Sequence, residues 1–288
     1  MQTKYDGERM FAEVSRTGVL FANRHAFRGS LPTVGAYLKL AIENSGAKLE
    51  TATFDGELIM NPHARFYNEQ DGFLNNRTNR DSMMLMVFDI LDFNGQDLRT
   101  LPYSERWRLL NEILVPAPNS RVLIADNEIF TTKDGIVANF NLKVQAGLEG
   151  VVVKPERSTY SNYAWCKLKM TQDEDVVVLG IRKTKSFPIA ESFLVGYYEA
   201  GYKDAVTGLP YRPYSHVASG LSVELKHRLG ELLLKHQIGL SREDVYVEPF
   251  VVLSITHNGR LKDWGYRHPA IVRCRDDKEP TDCIRTGV

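Results

Sequence analysis

The sequence predicts a mixed α+β fold in two domains, residues 1–172 and 173–288. Three observations predict it. Short runs rich in β-branched and aromatic residues alternate with stretches whose apolar residues recur at helical spacing. The segment Thr171-Gln172-Asp173-Glu174-Asp175 is polar and acidic, with no apolar residue to interrupt it, which suits a linker. The residues beyond that linker read as several strands and one helix, the pattern of a small β-barrel.

The elements follow in order. Residues 9–14 and 19–23 flank Arg16-Thr17-Gly18 and read as a hairpin. Residues 34–43 have helical spacing; residues 53–60 and 83–91 read as strands. Ser104 is placed to cap a helix running to Leu114, with Trp107, Leu110 and Leu114 on one face. Thr132 is placed to cap a second helix running to Val144, and residues 150–154 and 165–170 return to strand. In the second part, residues 176–181, 192–198, 246–255 and 270–273 read as strands around a helical stretch near 222–236. An OB-fold suits this pattern, and so does a small α+β domain.

Composition narrows the class. The chain has 288 residues, 43% of them hydrophobic and 25% charged, as in an ordinary globular protein rather than a disordered one. The longest apolar run, residues 83–88, is far too short to span a membrane. The first residues lack the apolar core of a secretory signal. The cysteines Cys166, Cys274 and Cys283 are too few and too scattered for a disulfide framework or a CxxC zinc site, so a reducing, cytoplasmic compartment is expected. The 36 basic and 36 acidic residues balance, which excludes a histone-like binder held by bulk charge but leaves room for a local basic cleft. Phosphate loops of the GxxxxGK[ST] and GxGxxG types and the HExxH zinc motif are absent.

Chemistry enters with Lys4-Tyr5-Asp6-Gly7-Glu8-Arg9, a KxDGxR pattern that chance rarely supplies. Such a lysine can attack an α-phosphate and hold a nucleotide as a phosphoramidate. It must be unprotonated to do so, whereas a free lysine has a pKa near about 10.4. Neighbouring cations and a bound metal favour the neutral amine. The glycine lets the backbone turn so that Lys4 and Arg9 face one pocket.

Further motifs follow in order. They are Asn23-Arg24, Phe54-Asp55-Gly56-Glu57-Leu58, Phe88-Asp89-Ile90-Leu91, Glu149-Gly150-Val151-Val152-Val153-Lys154-Pro155, Trp165-Cys166-Lys167-Leu168-Lys169, and Arg267-His268-Pro269 through Arg273-Cys274-Arg275-Asp276-Asp277-Lys278. Together with the KxDGxR pattern they resemble motifs I, Ia, III, IIIa, IV, V and VI of the ATP-dependent DNA ligases, within the superfamily shared with RNA ligases and mRNA-capping enzymes. The resemblance implies a nucleotidyltransferase domain of antiparallel sheets and helices, followed by an OB-fold.

It also implies roles. Lys4 is the adenylated nucleophile, Gln2 faces the adenine amino group, Arg9 reaches the ribose, and Arg24 meets the phosphates of ATP or of the nick. Glu57 lies near ribose and metal, and Glu149 is the stronger ligand for Mg²⁺ or Mn²⁺; two acids facing a nucleotide suit that ion. Phe88 reads as core by pattern alone and as an adenine-stacking ring by resemblance. Lys167 and Lys169, two apart on a strand, point to one face as an α-phosphate clamp, which Lys154 joins. Arg273, Arg275 and Lys278 orient the leaving pyrophosphate, with residues 171–175 as hinge.

The expected activity is ATP-dependent sealing of nicked double-stranded DNA by a monomer. An RNA ligase and a capping guanylyltransferase share the first step, but their first motif usually differs at the positions of Arg9 and Tyr5 respectively. A non-catalytic nucleic-acid-binding relative is the remaining alternative. Residues 75–80 and 182–185 are candidate DNA-facing loops or plain solvated turns. Lys4 stands where relatives usually have a leading segment before the motif. That implies a minimal form, an internal start or a trimmed chain, with a thinner wall around the adenine.

Overall fold

The computed structural model describes residues 1–24, 27–60, 82–161, 164–184, 189–261 and 265–285. The candidate loop at 75–80 and Lys185 lie outside them. The chain divides into two compact units, Met1–Met170 and Thr171–Val288.

The first unit contains β1 (Gln2–Lys4), β2 (Glu8–Ser15), β3 (Val19–Ala22), β4 (Arg28–Gly29), α1 (Pro32–Ser45), β5 (Thr51–Ile59), β6 (Met84–Phe93), β7 (Gln96–Asp97), α2 (Tyr103–Ile113), β8 (Val122–Ile124), α3 (Lys133–Gln145), β9 (Gly150–Val153) and β10 (Cys166–Lys169). The larger sheet runs β4-β3-β2-β5-β6-β7, with β8 parallel on β6. Strand β2 alternates, so Met10, Ala12 and Val14 point inward. They meet Val34, Leu38, Ala41 and Ile42, which helical spacing gathers on one stripe of α1. A second, three-stranded sheet, β1-β9-β10, carries the site.

Ser104 does not cap α2. The helix begins at Tyr103, and its first amides are satisfied by main-chain carbonyls instead: Tyr103 N donates to Ser158 O and Ser104 N to Glu156 O. Thr132 does cap α3, its hydroxyl accepting from Gly135 N at 3.2 Å.

The second unit contains β11 (Gln172–Arg182), β12 (Ser192–Tyr198), β13 (Tyr211–Val217), α4 (Val223–Leu234), β14 (Gln237–Leu240), β15 (Asp244–Val247), β16 (Val252–His257), β17 (Ala270–Cys274) and a 3₁₀ turn (Pro280–Asp282). Its sheet runs β13-β12-β11-β15-β14, and β16 joins β11 to β17. Val176, Val178, Phe193, Val195, Leu253 and Ile255 form its core. The expected strand over 246–255 is two strands, broken near Pro249, which has no N–H to donate to a ladder.

The acidic stretch is not a free linker. Gln172 to Asp175 open β11 and pair with His257 to Ser254 of β16. Glu174 accepts from Tyr197 Oη at 2.9 Å and also binds Arg260 and the Tyr266 hydroxyl, and Asp175 pairs with Arg275 and Lys278. Among the described residues, no helix is long and apolar enough to cross a membrane.

Candidate active site

The small sheet sets the register of the cations. Lys4 on β1 and Lys169 on β10 both face Gly150 across β9, while Gln2 and Lys167 both face Val152. Directly paired residues share a face, so Lys4, Gln2, Lys167 and Lys169 stand together. Gly150 makes this possible. Its φ is +151°, and a Cβ there would lie 2.1 Å from Leu168 O. Gly7, expected to serve a turn, answers a close approach instead: its Cβ would lie 2.3 Å from Leu58 O, so only glycine lets the loop after Lys4 pass along β5.

Lys4 Nζ donates to Glu149 Oε2 at 2.5 Å. Strand β1 is fastened from its other edge. Thr3 N donates to Asp126 Oδ1 at 2.8 Å, Thr3 Oγ1 donates to Asp126 Oδ2 at 2.7 Å, and Lys143 pairs with the same carboxylate at 2.5 Å.

A cavity opens beside Lys4, lined among others by Gln2, Arg9, Glu57, Phe88, Trp165 and Lys167. Burial pushes the Glu57 carboxyl up to about 8; the Lys4 charge opposes that shift, while Asp55, Glu149 and Asp6 add to it. Lys167 is pushed down by its partial burial and by the Lys4 and Arg9 charges. The cavity's apolar wall is Phe88 and Trp165, edge to face at 6.2 Å, with Tyr160 packed 5.4 Å from Trp165. Two buried donors in this region, Gln2 Nε2 and Trp165 Nε1, have no hydrogen-bond partner among the described residues.

Arg9 is held by a fork to Asp55, Nε to Oδ1 at 3.1 Å and Nη2 to Oδ2 at 2.8 Å, and it also donates to Tyr160 Oη. Tyr160 Oη in turn donates to Asp55 Oδ2 at 2.6 Å. Lys154 lines the cavity, but its Nζ is turned into the aromatic wall, 4.1 Å from the Trp165 ring centre and donating to Phe88 O at 3.0 Å. Burial pushes its ammonium down to about 8, against the pull of Asp89 at 3.5 Å. Asp89 is itself forked by fully buried Arg106.

Arg24 is exposed after β3 and does not line the cavity. In the second unit Arg273 is exposed on β17, while Arg275 and Lys278 both pair with Asp175. Among the described residues no three His, Cys, Asp or Glu converge on a metal position. Glu57 and Glu149, both beside Lys4, are the carboxylates a cation would meet here.

Sequence reading missed Asp55, Asp89, Arg106, Tyr160 and Asp126 as parts of the site. Asp55 and Asp89 stood inside the quoted motifs, as acids in apolar strands that demand a buried partner. Asp126 carried no signal.

Residues 1–169 match the family model of the ATP dependent DNA ligase domain. DNA ligase 4 of Homo sapiens is 25% identical, over 99% of this chain and 36% of that protein. A DNA ligase of Ignicoccus hospitalis is 27% identical, over 99% of this chain and 54% of its own. The chain thus spans about a third to a half of these relatives. Among solved structures, one from a study of DNA binding with a minimal scaffold by Lig E DNA ligases superposes with a TM-score of 0.62 at 16% identity, covering 95% of this chain and 91% of that one. Another, Pmar-Lig_PreS3, gives a TM-score of 0.69 at 16% identity, covering 95% and 62%. Identities this low show a shared fold alone.

Proposed function

This chain belongs to the ATP-dependent DNA ligase domain family, and from that premise we propose that it seals nicks in duplex DNA with ATP, through an adenylate on Lys4. The observation that carries the reading is the Lys4 amine beside Glu149, at the mouth of a cavity that also gathers Glu57 and Lys167.

Adenine fits the far end. Phe88 and Trp165 offer it an apolar wall, and Gln2 Nε2 and Trp165 Nε1, which have no partner among the described residues, suit the acceptor nitrogens of a purine. Arg9, fixed by Asp55, serves the ribose side. Lys154 holds the Phe88 main chain, and we assign it to the adenine wall rather than to the phosphates.

Lys4 attacks the α-phosphate as a neutral amine, its proton passing to Glu149; the hydrogen bond between the two supports this reading. Lys167 and Lys169 draw charge from the phosphate oxygens, and pyrophosphate leaves as the P–N bond forms. Glu57 and Glu149 would hold Mg²⁺ or Mn²⁺, which neutralises phosphate charge when bound. Arg273, Arg275 and Lys278 orient the pyrophosphate. The lysyl adenylate then passes AMP to the 5′-phosphate of the nick, where Arg24 meets the backbone, and the 3′-hydroxyl displaces AMP.

We read the second unit as an OB-fold. In support, β11 pairs with β16 through its first half and with β15 through its last, as one strand shared by two sides of a barrel. The working form is a monomer on nicked duplex.

The test is a sealing assay on a labelled nick bearing a 5′-phosphate, with ATP and Mg²⁺. The wild type joins the strands and Lys4→Ala does not. Sealing by Lys4→Ala would remove the assigned nucleophile, and labelling from GTP instead of ATP would favour a capping enzyme.

A further inference from the structure

Asp175 sits on β11 opposite Ser254. Its Oδ2 accepts from Arg275 Nη1 at 2.8 Å and pairs with Lys278 Nζ at 2.7 Å. Arg275 also forks Asp277, Nε to Oδ1 and Nη2 to Oδ2, both at 2.8 Å. Its main chain is anchored too, N donating to Val252 O at 2.8 Å. Two of the three cations assigned to the pyrophosphate are therefore already neutralised inside their own unit. The contact is largely shielded from solvent: the Arg275 and Asp175 side chains are 16% and 17% exposed.

We propose that Asp175 is a positioning residue that receives Arg275 and Lys278 whenever they are off the phosphates and competes with ATP for them. The inference rests on the ligase reading above. The Asp175 carboxylate offsets the charge of both cations, so a triphosphate must compete with it for them. The carboxylate sets how much of the protein is ready to bind ATP, and the apparent affinity falls by that fraction. It also gives the cations a partner to return to once pyrophosphate has gone.

The experiment measures KM for ATP in self-adenylation, and separately the sealing of a nick already carrying AMP, a step that uses no triphosphate. Wild type is compared with Asp175→Asn, Asp175→Ser and the charge-keeping Asp175→Glu. The neutral variants should lower KM for ATP by about three- to tenfold, without faster sealing of the adenylated nick, and Asp175→Glu should restore a KM near the wild-type value. An unchanged or raised KM in the neutral variants overturns the proposal. So does loss of pre-adenylated sealing in both, which would make Asp175 merely structural. Failure of the wild type to form an adenylate would instead sink the ligase reading itself.

Discussion

Lys154 shows how far burial can reshape one residue. Its ammonium lies among Trp165, Tyr103 and Phe88 and is pushed from 10.5 to about 8 by burial. The folded protein therefore binds fewer protons than the unfolded chain between about pH 8 and 10.5. The penalty for charging Lys154 is fully present below about 8 and fades as pH rises through that window. The unfolding free energy of wild type relative to Lys154→Met should rise across it by up to about 3 kcal/mol, at about 1.4 kcal/mol per pH unit. Denaturant unfolding at several pH values would measure this, and a flat difference would contradict it. At this scale the motifs picked out Lys4, Gln2, Glu57, Phe88 and Lys167, which the structure gathers around one cavity. The fork from Arg9 to Asp55 and the Tyr160 bond to the same carboxylate were not legible. They join residues 46 and 105 positions apart, and no local pattern encodes such pairs.

Elements hold Lys4 in place. Strand β1 is only three residues long, and its free edge is fastened by Asp126 through the Thr3 amide and hydroxyl. Asp126→Ala should cost about 1–3 kcal/mol, as buried partners are left unpaired, and should slow self-adenylation. Urea unfolding and the adenylation rate would test both; unchanged values would remove Asp126 from the site. Gly150→Ala should be harsher. A Cβ at 2.1 Å from Leu168 O forces β9 from β10, at about 2–4 kcal/mol, and moves Lys167 and Lys169 with it. Most strands and helices were legible from period and caps. Ser104 misled because main-chain carbonyls at 156 and 158 already serve the first amides of α2. The acidic stretch misled because its partners, Arg260, Arg275 and Lys278, are remote in sequence yet neutralise it within a strand.

The whole molecule has zero net charge, and each unit has its own hydrophobic core, the second unit's accompanied by a smaller cluster around Val177 and Leu194. The proposed binding to nicked duplex would then come from local cations rather than from bulk charge. It should be insensitive to sequence but sensitive to salt. Four phosphate contacts would weaken it about 100-fold between 50 and 200 mM salt. Titration of a labelled nicked duplex at several salt concentrations would measure the slope, and a salt-independent affinity would contradict a backbone-held complex. The polar stretch at 171–175 lies where one compact unit gives way to the next. The strand exchange around β11 was not legible, since it depends on pairings that sequence order does not reveal.

The most direct test of the account is the covalent adduct. The protein would be incubated with Mg²⁺ and α-labelled ATP, denatured, digested, and the labelled peptide sequenced by mass spectrometry. The account predicts AMP on Lys4, formed with release of pyrophosphate and absent from Lys4→Ala. Label on another residue, or none on a protein that still seals nicks, would contradict it.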